Sequence, residues 1–199
     1  MGVVKLSTAG ITNYQKYDDM MAGNTAIYTP GAFELAETVL ITDNKEAVVF
    51  ENINTKYGSV YQHLQLRMTS ATTNSSSYLS LLLRFNDDTS TNYADHTLYG
   101  NGSAVLSAAA TSQTAMVVAN CARSIDSAFS SSIVDILDPF ETTKNKTIRS
   151  FFGQKNSNLI QIRSGLWINT AAVTSIRLTL ASDNLRSGSR FSLYGLRSA

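Results

Sequence analysis

Apolar and polar side chains alternate with a period of two along one short segment after another of this 199-residue chain. Successive side chains of a β-strand point to opposite faces, so each such segment has one face for a core and one for water. In Gln62 to Thr69, Leu64, Leu66 and Met68 share one face, and His63, Gln65, Arg67 and Thr69 the other. Leu79, Leu81, Leu83 and Phe85 alternate with Ser80, Leu82 and Arg84, and Ile176, Leu178 and Leu180 alternate with Ser175, Arg177 and Thr179. Near the C-terminus, Phe191 and Leu193 oppose Arg190, Ser192 and Tyr194. Terminal segments fray unless tied down, so one patterned this firmly is expected to complete a sheet.

Further strand segments are expected over 33–42, 46–51, 97–99, 103–106, 114–119, 132–138, 146–152 and 159–163. Turn residues separate them: Asp43-Asn44-Lys45, a polar stretch over 70–77, a long polar loop over 86–95, Gly100-Asn101-Gly102 and Asp138-Pro139-Phe140. Roughly ten short strands with hardly any helical periodicity read as an antiparallel sandwich or barrel. The chain has only two prolines, as suits central strands, and no internal repeat of the kind that marks propellers and solenoids. The expected fold is all-β: an antiparallel, two-sheet, jelly-roll-like sandwich over residues 32–199.

Residues 1–31 read differently, as an N-terminal arm. Thr12 or Asn13 caps a short helix that Gly23 stops, and Pro30-Gly31 closes the segment. Tyr14, Tyr17 and Met21 make one apolar stripe, with Met20 beside it. A helix of about ten residues is too short to stand alone in water. It docks either on its own domain or on a neighbouring subunit, so Tyr14, Tyr17, Met20 and Met21 are the candidate partner-docking residues.

Composition removes several function classes. The net charge is +1 and no basic block is present, so the electrostatic footprint of a nucleic-acid binder is missing. No segment has the ~18 apolar residues of a membrane span, and no secretory signal opens the chain. Cytoplasmic synthesis is therefore expected. The single cysteine, Cys121, has no partner for an internal disulfide and reads as a buried structural thiol.

Little in the sequence promises chemistry. His63 lies on the polar face of a strand and His96 at a loop-to-strand junction, neither in a metal-ligand spacing. The oxygen-rich loop Asn86 to Asp95 lacks the spacing of a calcium loop, and its Asn and Asp side chains read as makers of Asx-turns. Asp135 is expected to point outward, by parity with Val134 and Ile136, and Trp167 to sit in the core. No catalytic residue, metal site or cofactor is expected.

Several stretches are familiar in their order. Val4-Lys5-Leu6-Ser7-Thr8-Ala9-Gly10-Ile11, Tyr61-Gln62-His63-Leu64-Gln65-Leu66-Arg67 and Leu83-Arg84-Phe85-Asn86-Asp87-Asp88 resemble segments of small structural proteins of tailed phages, of the cyanophage and marine-phage type. So do Asn92-Tyr93, His96 to Gly102, Ser164-Gly165-Leu166-Trp167 and Phe191 to Leu196. The resemblance implies a non-enzymatic virion component on a β-sandwich, made in the host bacterial cytoplasm. It would be a capsid decoration (cement) protein on the outer shell, with the major capsid protein or other virion proteins as partners, and a homo-oligomer, dimer or trimer. The alternative is a tail or fibre protein that binds a host-surface glycan through loop residues such as Tyr78, Asn92, Tyr93 and Tyr99.

Overall fold

The computed structural model describes residues 33–154 and 158–197. The expected arm, with Tyr14, Tyr17, Met20 and Met21, lies outside the described residues. The described chain forms twelve strands and one short helix: β1 (Phe33–Leu40), β2 (Ala47–Glu51), α1 (Ile53–Tyr57), β3 (His63–Ser70), β4 (Leu79–Phe85), β5 (Tyr93–Gly100), β6 (Val105–Gln113), β7 (Met116–Cys121), β8 (Ser130–Leu137), β9 (Lys146–Gln154), β10 (Leu159–Trp167), β11 (Ser175–Leu180) and β12 (Arg190–Leu196).

The strands make two antiparallel sheets. The larger has the order β1-β12-β3-β8-β9-β10-β5-β6 and the smaller β2-β11-β4-β7. Four of the pairings are nested: β1 with β12, β2 with β11, β3 with β8, and β4 with β7. Successive pairs go to alternate sheets. A long antiparallel ribbon rolled on itself gives this order, so the eight strands form a jelly roll, and the expected sandwich is what the chain builds. The remaining four strands are two inserted pairs. β5 and β6 lie between β4 and β7 in sequence, and β9 and β10 between β8 and β11. Both pairs extend the larger sheet past β8.

The core lies between the sheets. Leu64, Leu66, Val134, Ile136, Phe191 and Leu193 of the larger sheet are fully buried, as are Phe50, Leu81, Leu83, Phe85, Ile176 and Leu178 of the smaller. Burying each such side chain contributes roughly 1.5–3 kcal/mol. Trp167 joins the layers: its ring lies 5.5 Å from that of Phe85 and 6.2 Å from that of Tyr93. Cys121 is fully buried, and burial pushes its thiol pKa up to about 12 despite a hydrogen bond to Ser70 Oγ.

β12 lies between β1 and β3, paired with both along its length. One close approach fixes its end. A Cβ on Gly195 would fall within the Tyr61 ring, whose hydroxyl donates to Glu34 Oε2 at 3.0 Å.

Two local expectations are corrected, and one helix lies where no element was expected. β5 begins at Tyr93, inside the stretch read as loop, because its inward residues Asp95 and Thr97 are polar and mask the alternation. β6 runs to Gln113 through Ala, Ser and Thr, which carry no apolar alternation, and it is exposed at eight of nine positions. α1 follows Asn52, which has a left-handed φ of 56°.

Candidate interaction face

Two of the inserted strands, β5 and β10, have part of their faces inverted. In β10, Gln161 and Gly165 point inward and are buried, with Arg163 half-buried between them, while Ile160 and Ile162 point outward. The inward polar groups satisfy one another. Arg163 Nη1 donates to Asp95 Oδ1 at 2.6 Å. The Gln161 carboxamide oxygen, with the amide oriented by its donors, accepts from Arg163 Nε and Nη2 at 2.9 Å and also from Thr97 Oγ1. A buried pair held by extra hydrogen bonds escapes the penalty of an isolated buried charge.

Apolar side chains thereby come to the outer surface. Register places Ile162 directly opposite Leu98 on β5 and Phe151 on β9, and Phe151 opposite Ile133 on β8. Ile162 is 55% exposed, Leu98 52%, Phe151 48% and Ile133 38%. With the neighbouring Ile160 they form one band across four strands. Its exposed apolar area is of order 400 to 500 Å², in the range of the largest patch on an ordinary monomer, which is often functional.

The band runs into a cationic groove. Ile133 lies opposite Arg67 on β3, and Arg67 opposite Ser192 on β12. The Arg67 guanidinium lies 4.8 Å from the Phe33 ring centre and 5.3 Å from that of Tyr194, and these two rings stack at 4.8 Å. Its Nε donates to Gln65 Oε1. A shallow groove of about 390 Å³ lies here, lined by Arg67, Arg190, Phe151, Ile133 and Tyr194 among others. Among the described residues, neither Arg67 nor Arg190 has a carboxylate partner within ion-pair distance. Asp135 points outward as expected, but it is taken up by Arg149 Nε at 2.8 Å and Gln65 Nε2 at 2.7 Å. The groove is thus apolar at one end and positive at the other.

The acidic loop between β4 and β5 is a structural clasp. Asp88 Oδ2 accepts from Trp167 Nε1 and Asn92 Nδ2, both at 2.8 Å, and Oδ1 accepts from the Ser90 amide at 2.8 Å. Partial burial raises the Asp88 pKa, but these donors outweigh it and hold it at about 2. Asp87 pairs with Arg177 through both oxygens. Asn86 Oδ1 accepts from the Thr174 and Ser175 amides. Among the described residues, no three His, Cys, Asp or Glu side chains gather as a metal would need, and no helix is long and apolar enough to cross a membrane.

The residues named for glycan contact do not form one surface. Tyr93 is fully buried, with its hydroxyl bonded to the Phe85 backbone at both N and O, so its expected exposure on a loop is corrected. Asn92 is committed to Asp88. Tyr78 lies under Arg123, 4.9 Å from its guanidinium, and Tyr99 is half-buried on β5. Trp167 is in the core, as expected. His63 and Asp138 lie 3.1 Å apart, and His96 is exposed. Sequence reasoning missed the outer band. Its only trace was the run Leu159-Ile160-Gln161-Ile162-Arg163, whose parity shows two faces without saying which one meets the core.

These features define a jelly-roll β-sandwich protein with an exposed apolar and cationic face on its larger sheet. No family model matches the chain, and no curated protein matches it.

Proposed function

We propose that this chain is a non-enzymatic structural protein of a tailed-phage virion, a capsid decoration protein that binds the outer shell and stabilises it. The ordered resemblance to phage structural proteins supports the reading. The observation that carries it is the inversion of β5 and β10, which hides a polar network and presents Leu98, Ile160 and Ile162 to solvent. An apolar band beside two arginines without carboxylate partners fits a protein surface of apolar side chains flanked by carboxylates. Buried apolar contact would provide the affinity and the charges the register. The partners are then the major capsid protein or other virion proteins. The tail or fibre reading, in which a glycan is bound, loses Tyr93 and Asn92 from its proposed site.

The test uses shells that lack the protein. Added wild-type chain should saturate them in co-sedimentation and raise their melting temperature. Ile162→Lys should bind at least tenfold more weakly with its own melting temperature unchanged, because Ile162 is exposed. Deleting residues 1–30 should leave a folded body that no longer assembles on shells. Full occupancy by Ile162→Lys would remove the outer band from the contact. Full occupancy by the deletion would remove the arm.

A further inference from the structure

We infer that two copies of this chain join edge to edge through β6, antiparallel about a two-fold axis at Ser107, so that their larger sheets run on as one. Among the described residues, each sheet has two edges: β1 and β6 in the larger, β2 and β7 in the smaller. An open edge offers unpaired backbone groups to any other strand, and proteins guard edges with charges, bulges or cover. The β1 edge is guarded. It carries Glu34, bonded to Tyr61, and Glu37, paired with Lys56, and its ladder is broken between Leu35 and Glu37. β2 is preceded by Lys45 and Glu46 and ends on Glu51.

The other two edges carry no charge, although the β4–β7 ladder shifts between Leu81 and Leu82 and the β5–β6 ladder between Tyr93 and Asp95. From Thr97 to Ala122 the chain contains no Asp, Glu, Lys or Arg, although it has 31 such residues in all, 16 basic and 15 acidic. That run contains β6 and β7, the edge strands at the same end of the sandwich. β6 has no proline, and eight of its nine residues are exposed, with Val105 at 74% and Leu106 at 43%. Ala110 alone is half-buried, beside a groove shared with Leu82 and Val117 of the smaller sheet.

Symmetry selects the occupant and the register. An isologous contact sets the residue on the axis against its own copy and its neighbours close to theirs, so a charge there would meet a like charge. Val105 to Ala110 pairs without interruption with Gly100 to Asp95, and only beyond it does the ladder slip, near Ser112 with its φ of 55°. The regular stretch is the part able to pair again on its free side. Directly opposed residues of a sheet share a face, so a two-fold axis normal to the sheet must pass through a residue. With Ser107 on the axis and opposite its own copy, Val105 meets Ala109 of the second copy and Leu106 meets Ala108, so each large residue faces a small one. The outer faces of both copies, each with its Leu98–Ile162–Phe151 band, then lie on one side of a continuous sheet. This deepens the shell-binding reading by doubling the docking face, but the pairing itself does not depend on what the face binds.

The experiment is sedimentation velocity on the full chain from 1 to 100 µM. The weight-average mass should rise from 21.6 kDa toward twice that value. Ser107→Lys, at an exposed position, should weaken association at least tenfold and leave the melting curve unchanged at dilutions where both proteins are monomeric. Ser107→Cys should form an intermolecular disulfide on mild oxidation, since opposed Cα atoms in antiparallel strands lie about 4.5–5.5 Å apart, and the buried Cys121 does not compete. A monomer at 100 µM, or a dimer indifferent to Ser107→Lys, would overturn the inference. A dimer dissolved by Ile162→Lys instead would assign the contact to the outer faces and overturn it equally. Shell binding by a monomeric Ser107→Lys variant would leave the proposed function standing.

Discussion

Replacing Asp88 by Asn tests whether the β4–β5 clasp holds the core. Asp88 accepts three hydrogen bonds, and one comes from Trp167, which is almost fully buried. An amide can still accept from Ser90, but its NH2 group cannot accept from the indole N–H or from Asn92. Leaving a buried donor without a partner costs about 1–3 kcal/mol. Proton linkage expresses the same hydrogen bonds as a pH-dependent figure. The folded pKa of about 2 lies below the ordinary 3.8, a difference worth roughly 2 to 3 kcal/mol. Because Asp88 is partly exposed, screening brings this toward 2 kcal/mol. The depressed pKa makes this stability fully present above about pH 4 and lost progressively as pH falls through 2. Asp88→Asn should therefore be destabilised by about 2 kcal/mol in urea unfolding at pH 7, a drop in melting temperature of roughly 4–8 °C. The gap to wild type should close as pH falls toward 2. A difference below about 0.5 kcal/mol at pH 7, typical of an ordinary surface change, would refute the clasp. So would a gap that persists unchanged at pH 2.

Three other perturbations have defined outcomes. Gly195→Ala drives a methyl group into the Tyr61 ring and should cost about 1–3 kcal/mol by overpacking; an unchanged urea midpoint would mean the ring swings clear freely. Removing Phe191 to Ala199 deletes the strand between β1 and β3 with the buried Phe191 and Leu193, a loss comparable to the ~5–15 kcal/mol that holds a domain together. That truncation should show no cooperative melting transition, and a soluble, cooperatively melting product would be the contrary result. Cys121 should resist a thiol reagent at pH 8 in the native protein and react fully in urea, as follows from its burial and a pKa near 12; rapid native labelling would show that the β4–β7 edge opens.

Residues with strong alternation were read correctly because their parity and their burial agree. β3, β4, β11 and β12 match the segments expected from Leu64 to Met68, Leu79 to Phe85, Ile176 to Leu180 and Phe191 to Leu193. β6 was only partly legible, since a strand that buries neither face leaves no apolar signature in Ala108-Ala109-Ala110. The start of β5 was hidden because Asp95 and Thr97 are inward residues satisfied by partners on β10, over sixty residues away in the chain. The arm residues Tyr14, Tyr17, Met20 and Met21 lie outside the described residues.

The sequence alone determined that this chain is all-β, where most strands lie, and that its last strand belongs to a sheet. Those facts are local, carried by a period of two and by turn residues. The nested pairing that makes a jelly roll, the insertion of β5–β6 and β9–β10 into the larger sheet, and the inward faces of β5 and β10 were decided by tertiary structure. Alternation separates two faces without naming them. Only when β10 lies beside β5 can Arg163 find Asp95 and Gln161 find Thr97, and only then do Ile160 and Ile162 become the surface rather than the core.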